Sequence, residues 1–168
     1  MKYSTSMFHW ILASELATSG FALALGSVLI LAPEDARADV SGANCQIYTV
    51  LAMKTGDGSI PPDLEFIGDQ LRDDGFAAFK GFRLLESRAL ELKLGATGVA
   101  DMSSGHRLQL TLLGAEQTRL KLRATLQAGD KKLVDTDYKI EDAGILLLGG
   151  VRHPDGKIFF AIQCRGVL

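Results

Sequence analysis

The chain has 168 residues, with 18 lysines and arginines against 20 aspartates and glutamates, and a formal net charge of −2. This near-neutral balance excludes a global field that would draw in nucleic acid or an anionic surface. The length suffices for one domain with a sizeable core that needs neither metals nor many disulfides.

The first 38 residues read as an export signal. Met1-Lys2 is followed by a mixed segment and then by the apolar run Phe21–Ala32. Pro33 and the small-x-small triplet Ala36-Arg37-Ala38 come next. An apolar core ending in an Ala-x-Ala site is the pattern of a cleaved secretory signal. The run has 12 residues, well short of the ~20 that span a bilayer. Cleavage after Ala38 leaves a single domain over 39–168, with 16 basic and 17 acidic residues, in the periplasm or outside the cell. The long leading region and Glu15 leave an uncleaved signal anchor as the alternative. Cys45 follows Gly42-Ala43-Asn44 and lacks the aliphatic residue of a lipobox.

Cys45–Lys54 is rich in β-branched and aromatic residues and predicts the first strand. Pro61-Pro62-Asp63 opens a helix, with Asp63 and Glu65 at its positive end. Leu64, Ile67 and Leu71 form its apolar stripe beside Phe66, and Asp73-Asp74-Gly75 stops it. From Phe79 onward the period becomes two. Leu90, Leu92 and Leu94 alternate with polar residues, as do Leu108, Leu110 and Leu112, and then Leu120, Leu122, Ala124 and Leu126. Such alternation predicts antiparallel strands with one wet face.

In the hairpin over 119–140, a turn at Ala128-Gly129-Asp130 sets Gln127 opposite Lys131. That register pairs Leu120 with Tyr138, Leu122 with Thr136 and Ala124 with Val134 on the core side. On the wet side it pairs Arg123 with Asp135 and Lys121 with Asp137. Ile145–Leu148 is continuously apolar and predicts a central strand covered on both faces. It leads through Gly149-Gly150 and the Pro154-Asp155-Gly156 turn to a last strand over 157–164. The expected fold is mainly β: an antiparallel sandwich or partly closed barrel of eight or nine strands with one short early helix.

Cys45 and Cys164 stand near opposite ends of the domain. In an oxidising compartment they predict a disulfide; the alternative is two separate buried thiols. Groups suited to catalysis are scarce. Outside the signal the histidines are His106 and His153. Ser103-Ser104-Gly105-His106 reads as a tight turn entering a strand, not as a nucleophile elbow. A Cys164/His153 dyad is conceivable across the last hairpin, but a strand cysteine in a disulfide is no nucleophile. His153 and Asp155 are two ligands where zinc wants three or four. Asp57-Gly58-Ser59 lacks the rest of a calcium loop. No cofactor and no metal site are expected.

Two surface features remain. Arg119, Lys121 and Arg123 form a basic stripe on the wet face of one strand, which suits a glycan or other polyanion unless Asp135 and Asp137 neutralise it. Phe76, Phe79 and Phe82 either cover the core or present an apolar edge to a partner, with Phe76 the ring expected to be exposed. Trp10 lies in the signal, and Tyr48 and Tyr138 fall among core-facing positions, so no sugar-stacking platform is indicated.

The order of features includes Phe79-Lys-Gly-Phe-Arg-Leu-Leu85, a leucine-rich meander and a closing Leu147-Leu-Gly-Gly150 hairpin. Across residues 45–163 it resembles small exported β-rich envelope proteins of Gram-negative bacteria. The resemblance implies an envelope protein and brings no catalytic residues. The expected function is a non-catalytic interaction module, an accessory or structural part of an envelope assembly with an unidentified protein partner. The alternative is a polyanion-binding module using the Arg119/Lys121/Arg123 face, and a small hydrolase ranks third.

Overall fold

A computed structural model of the chain describes residues 40–168. The export signal expected over 1–38 lies outside the described residues. Eight strands follow in order: β1 (Gly42–Met53), β2 (Gly81–Lys93), β3 (Thr97–Asp101), β4 (His106–Glu116), β5 (Arg119–Ala128), β6 (Lys131–Glu141), β7 (Ile145–His153) and β8 (Gly156–Val167). They form two four-stranded sheets, ordered β2-β1-β8-β7 and β3-β4-β5-β6, with antiparallel pairing between neighbouring strands. The architecture is a sandwich rather than a closed barrel.

The period-two leucines account for the core. Leu108, Leu110 and Leu112 of β4 and Leu120, Leu122 and Leu126 of β5 turn inward. They meet Ile47 and Leu51 of β1 and Phe160 and Ile162 of β8, all fully buried. Near β2 the second sheet approaches closely at Gly98 of β3. A Cβ there would lie 2.7 Å from Leu92 and 2.9 Å from Leu90, so only glycine lets β3 sit against those leucines.

The first sheet is apolar on its outer face too, because a second layer covers it. Val50, Ala52, Phe82, Phe159 and Ala161 pack there against Leu64, Ile67 and Leu71. The predicted helix is mostly a 3-10 turn over Pro62–Ile67, followed by the short helix α1 (Gly68–Arg72) and a second 3-10 turn over Asp74–Phe76. Residues i and i+3 eclipse in a 3-10 turn, which aligns Leu64 with Ile67 and lets both reach the sheet. Phe66 misses this stripe, stays 38% exposed and packs its ring 4.3 Å from that of Tyr48.

Three expectations need correction. The first concerns β7, which is an edge strand and not a central one. Its two-faced apolarity arises because Leu146 and Leu148 face the inner core while Ile145 and Leu147 join the outer layer. The second concerns Phe76, which is half-buried, with its ring 4.9 Å from Phe159 and 6.2 Å from Phe82.

The third concerns the register of β5 with β6, which is shifted by two residues. Arg123 faces Asp137, Leu122 faces Tyr138 and Lys121 faces Lys139. The turn has two residues, Gly129 and Asp130, between Ala128 and Lys131, and Gly129 supplies a φ of 56°. A bulge then leaves Leu133 without a partner between Lys132 and Val134. A shift of two keeps every side chain on its expected face.

Cys45 and Cys164 are direct partners in the pairing of β1 with β8, and they form a disulfide within the buried core. This bond joins strands 119 residues apart in sequence and is compatible with an oxidising compartment.

Candidate functional site

Chemistry-bearing side chains fall into three groups. The first lies on the outer face of the second sheet. Arg119 donates to Glu141 at 2.6 Å, and Arg123 holds Asp137 through two hydrogen bonds of 2.6 and 3.0 Å. Lys121 and Lys139 face each other, a like-charge pair that would repel. Glu116 reaches between them, with Oε2 2.9 Å from Lys121 and 2.8 Å from Lys139. Hydrogen bonds from Lys139 and Lys121 lower the Glu116 carboxyl to about 2. Asp135 binds Lys132 instead of Arg123. The expected basic stripe is therefore a lattice of paired charges, and each of its three cations is engaged. Solvent-exposed pairs of this kind are screened by water and stabilise little.

The second group lies where β2 meets the β3–β4 turn. Glu86 faces Thr49 across β1 and β2, and its Oε1 accepts hydrogen bonds from the Ser103 amide at 2.7 Å and the Ser103 hydroxyl at 2.8 Å. Arg88 donates to the other oxygen at 3.2 Å. Burial pushes the Glu86 carboxyl up, and the bonds from Ser103 and Arg88 more than offset that, holding it below the ordinary glutamate range. His106 is buried, shares a 3.1 Å hydrogen bond with Ser104 and meets Phe160 edge-on. Thr49 Oγ1 is buried with no hydrogen-bond partner among the described residues.

Ser104 and His106 thus stand within reach of each other, but the nearby carboxylate is spent on Ser103 and does not orient the imidazole. The arrangement does the work of a clamp that ties β2 to the β3–β4 turn.

The clamp predicts a pH effect. Because the Glu86 carboxyl is lowered in the fold, its contribution is fully present above the unfolded glutamate value. It fades as pH falls through the lowered folded value. Glu86→Gln is expected to lower stability at neutral pH by roughly 1.5–3 kcal/mol, the range for hydrogen bonds to a charged group. The gap between variant and wild type should narrow as the solution is acidified below the ordinary carboxylate range. Urea unfolding of both proteins across that range checks it, and a gap independent of pH would show that the carboxylate charge is not what holds the turn.

His153 and Asp155 share one turn, with the Asp155 amide donating to His153 Nδ1 at 3.2 Å. Asp57 accepts from the amide and hydroxyl of Ser59 and closes a loop turn. No group of three or more His, Cys, Asp or Glu side chains is placed to hold a metal ion among the described residues.

The third group is a groove of about 760 Å³ at the end of the sandwich, opposite the Gly129-Asp130 turn. Val40, Leu94, Leu113, Leu120 and Leu168 give it apolar walls, and Thr118 and Arg119 stand at its side. Backbone bonds join the strand ends beside it: Leu94 donates to Ser41, Gly95 to Leu112 and Ser41 to Val167. Leu113 faces outward because a bulge separates Leu112, opposite Leu122, from Gly114, opposite Lys121. Of these residues only Arg119 is a candidate site residue from the sequence, as part of the basic stripe, and the groove itself is not expected there. The available signal was Leu112-Leu113-Gly114, where two adjacent leucines break the alternation just before a glycine.

No helix among the described residues is long and apolar enough to cross a membrane. No protein family, curated protein or solved structure matches the chain.

Proposed function

We propose that the chain is an exported, non-catalytic interaction module, an accessory or structural part of a cell-envelope assembly, and that it makes contact through the groove at the end of the sandwich. The groove carries this reading. Its volume of about 760 Å³ falls within the range of small-molecule and cofactor sites, roughly 300–1,000 Å³. Its rim keeps Leu94, Leu113 and Leu168 in solvent, and contiguous exposed apolar surface marks contact sites.

Two further observations support the reading. The polar side chains that resemble catalytic parts, Glu86, Ser103, Ser104 and His106, are occupied with one another around a turn. The buried Cys45–Cys164 disulfide suits the exported address that the first 38 residues suggest. A polyanion on the Arg119/Lys121/Arg123 face would have to displace Glu141, Glu116 and Asp137, so the groove is the stronger site.

A photo-crosslinking side chain placed at Leu113 in cells tests the proposal. It should give a defined adduct with an envelope component, while the same probe at Leu133, in the bulge beside the opposite turn, gives none. Equal labelling from both positions, or none from Leu113, would remove the groove as the contact site.

A further inference from the structure

We infer that the outer face of the first sheet binds a short zwitterionic peptide of about three residues, with its ammonium at Glu91 and its carboxylate at Arg165. The site is a depression of about 370 Å³, within the roughly 300–1,000 Å³ of small-ligand sites. It shares no lining residue with the groove at the end of the sandwich, and the two sites stand or fall separately.

The register builds the site. Asn44 of β1 faces Glu91 of β2 on one side and Arg165 of β8 on the other, so the three side chains form one row across three strands. The adjacent Cys45 is buried in the core, which turns this row to the opposite face. Gln46 faces Ala89 and Gln163 in the next row. Gln163 donates to the Ala143 carbonyl at 2.9 Å, which fixes its carboxamide at the wall. Alanine is a poor strand former, but the small, exposed side chain of Ala89 leaves the second row open beside Gln46.

Charge and span point to the occupant. Glu91 and Arg165 are exposed and form no ion pair among the described residues. On the outer face of the second sheet, by contrast, Arg119, Lys121 and Arg123 are closed into pairs. With Lys93 one row along and Asp142 beside Gly166, the charges of this corner sum to zero. A ligand of zero net charge that carries one full charge of each sign meets that balance. Neighbouring strands lie about 4.8 Å apart, so positions 91 and 165 are separated by roughly 10 Å across β1. A peptide of three residues reaches about 10 Å when extended, and one or two residues fall short.

The guanidinium of Arg165 offers a fork to the carboxylate, and Glu91 accepts from the ammonium. The Asn44 carboxamide offers a donor and an acceptor to the peptide groups between them. An uncharged sugar would use the carboxamides and leave both charges idle.

Titration of the purified protein with trialanine, followed by amide NMR, tests the site. Shifts should saturate and centre on Asn44, Gln46 and Gln163. Trialanine amidated at its carboxyl end, or acetylated at its amino end, should bind roughly tenfold more weakly, because each loses one charge-assisted contact. Arg165→Gln should bind trialanine and its amide alike, and Glu91→Gln should bind trialanine and its acetylated form alike. Both positions are exposed, so both variants should keep the wild-type fold, which circular dichroism verifies. Leu113→Gln, in the groove, should bind like wild type.

Wild type without saturable shifts at millimolar trialanine would overturn the site. So would equal affinity for the three peptides, or a preference for free ends that survives both substitutions. Maltotriose bound more tightly than trialanine would make a sugar the occupant, and binding lost in Leu113→Gln would place the peptide in the groove. A failed titration leaves the groove reading standing, because the crosslink at Leu113 tests that by itself.

Discussion

Replacing Cys45 and Cys164 together with alanine is expected to lower the stability of the domain by about 2–5 kcal/mol, the cost of losing a disulfide from a small domain. The bond closes a loop between residues 119 apart, and in the chain-entropy view a loop of that length is worth about 4–5 kcal/mol through the unfolded state. Its position adds to the effect. Cys45 and Cys164 face each other at the centre of the first sheet, where β1 has β2 on one side and β8 on the other. Both side chains are buried, so the double alanine variant also loses packed volume. Urea unfolding gives the measurement. Wild type treated with reductant should move toward the variant, and a variant with an unchanged midpoint would show that the bond contributes nothing to the native balance.

Phe82→Ala is expected to cost about 3–5 kcal/mol, the usual penalty for removing a buried phenylalanine. Phe82 is 7% exposed and belongs to the outer layer, with Leu64, Ile67, Leu71 and Phe159. Phe76 packs edge-on against it at 6.2 Å. A cavity there undermines the seating of the 62–76 segment, so limited proteolysis should cut that segment first, ahead of the β4–β6 hairpins. Phe66→Ala is the contrast. Its ring is 38% exposed and its close aromatic partner is Tyr48, so the expected loss is roughly 0.5–1.5 kcal/mol. Equal losses at Phe82 and Phe66 would mean that the outer layer is not a core of its own.

The strands were legible because alternation reports which face a residue takes. Leu108, Leu110 and Leu112 and the β5 series face the core as their spacing requires. Alternation is blind to a shift of two, however, and the β5–β6 register differs from expectation by that amount. The unpaired Leu133 and the two-residue turn decide it, and neither leaves a trace in the period.

Continuous apolarity in β7 was likewise read correctly as cover on both faces, but not as an edge. The sequence around Ile145 does not reveal that the segment containing Leu64, Ile67 and Leu71 lies over the outer face of its sheet. Phe76 was misplaced for the same reason, because its partner Phe159 comes from the last strand. The groove depends on a bulge, two strand ends and Leu168 coming together. No local pattern encodes that meeting.

The placement of β1 constrains when the domain can close. Among the described residues it is the first strand, and it needs the last of them, β8, beside it along its whole length, from Gly42 opposite Val167 to Met53 opposite Gly156. The second sheet, by contrast, is a run of neighbours joined by short turns from β3 to β6. Sequence-local hairpins form early, and pairings between distant segments wait for the chain to return. A chain moving amino-terminus first through a narrow opening can therefore form the β3–β6 meander piecemeal, but it cannot complete the first sheet or bring Cys45 to Cys164 until its final residues have followed. In a chain threaded in this way the domain would stay open for as long as threading lasts, and the closing covalent bond would become available only at the far side.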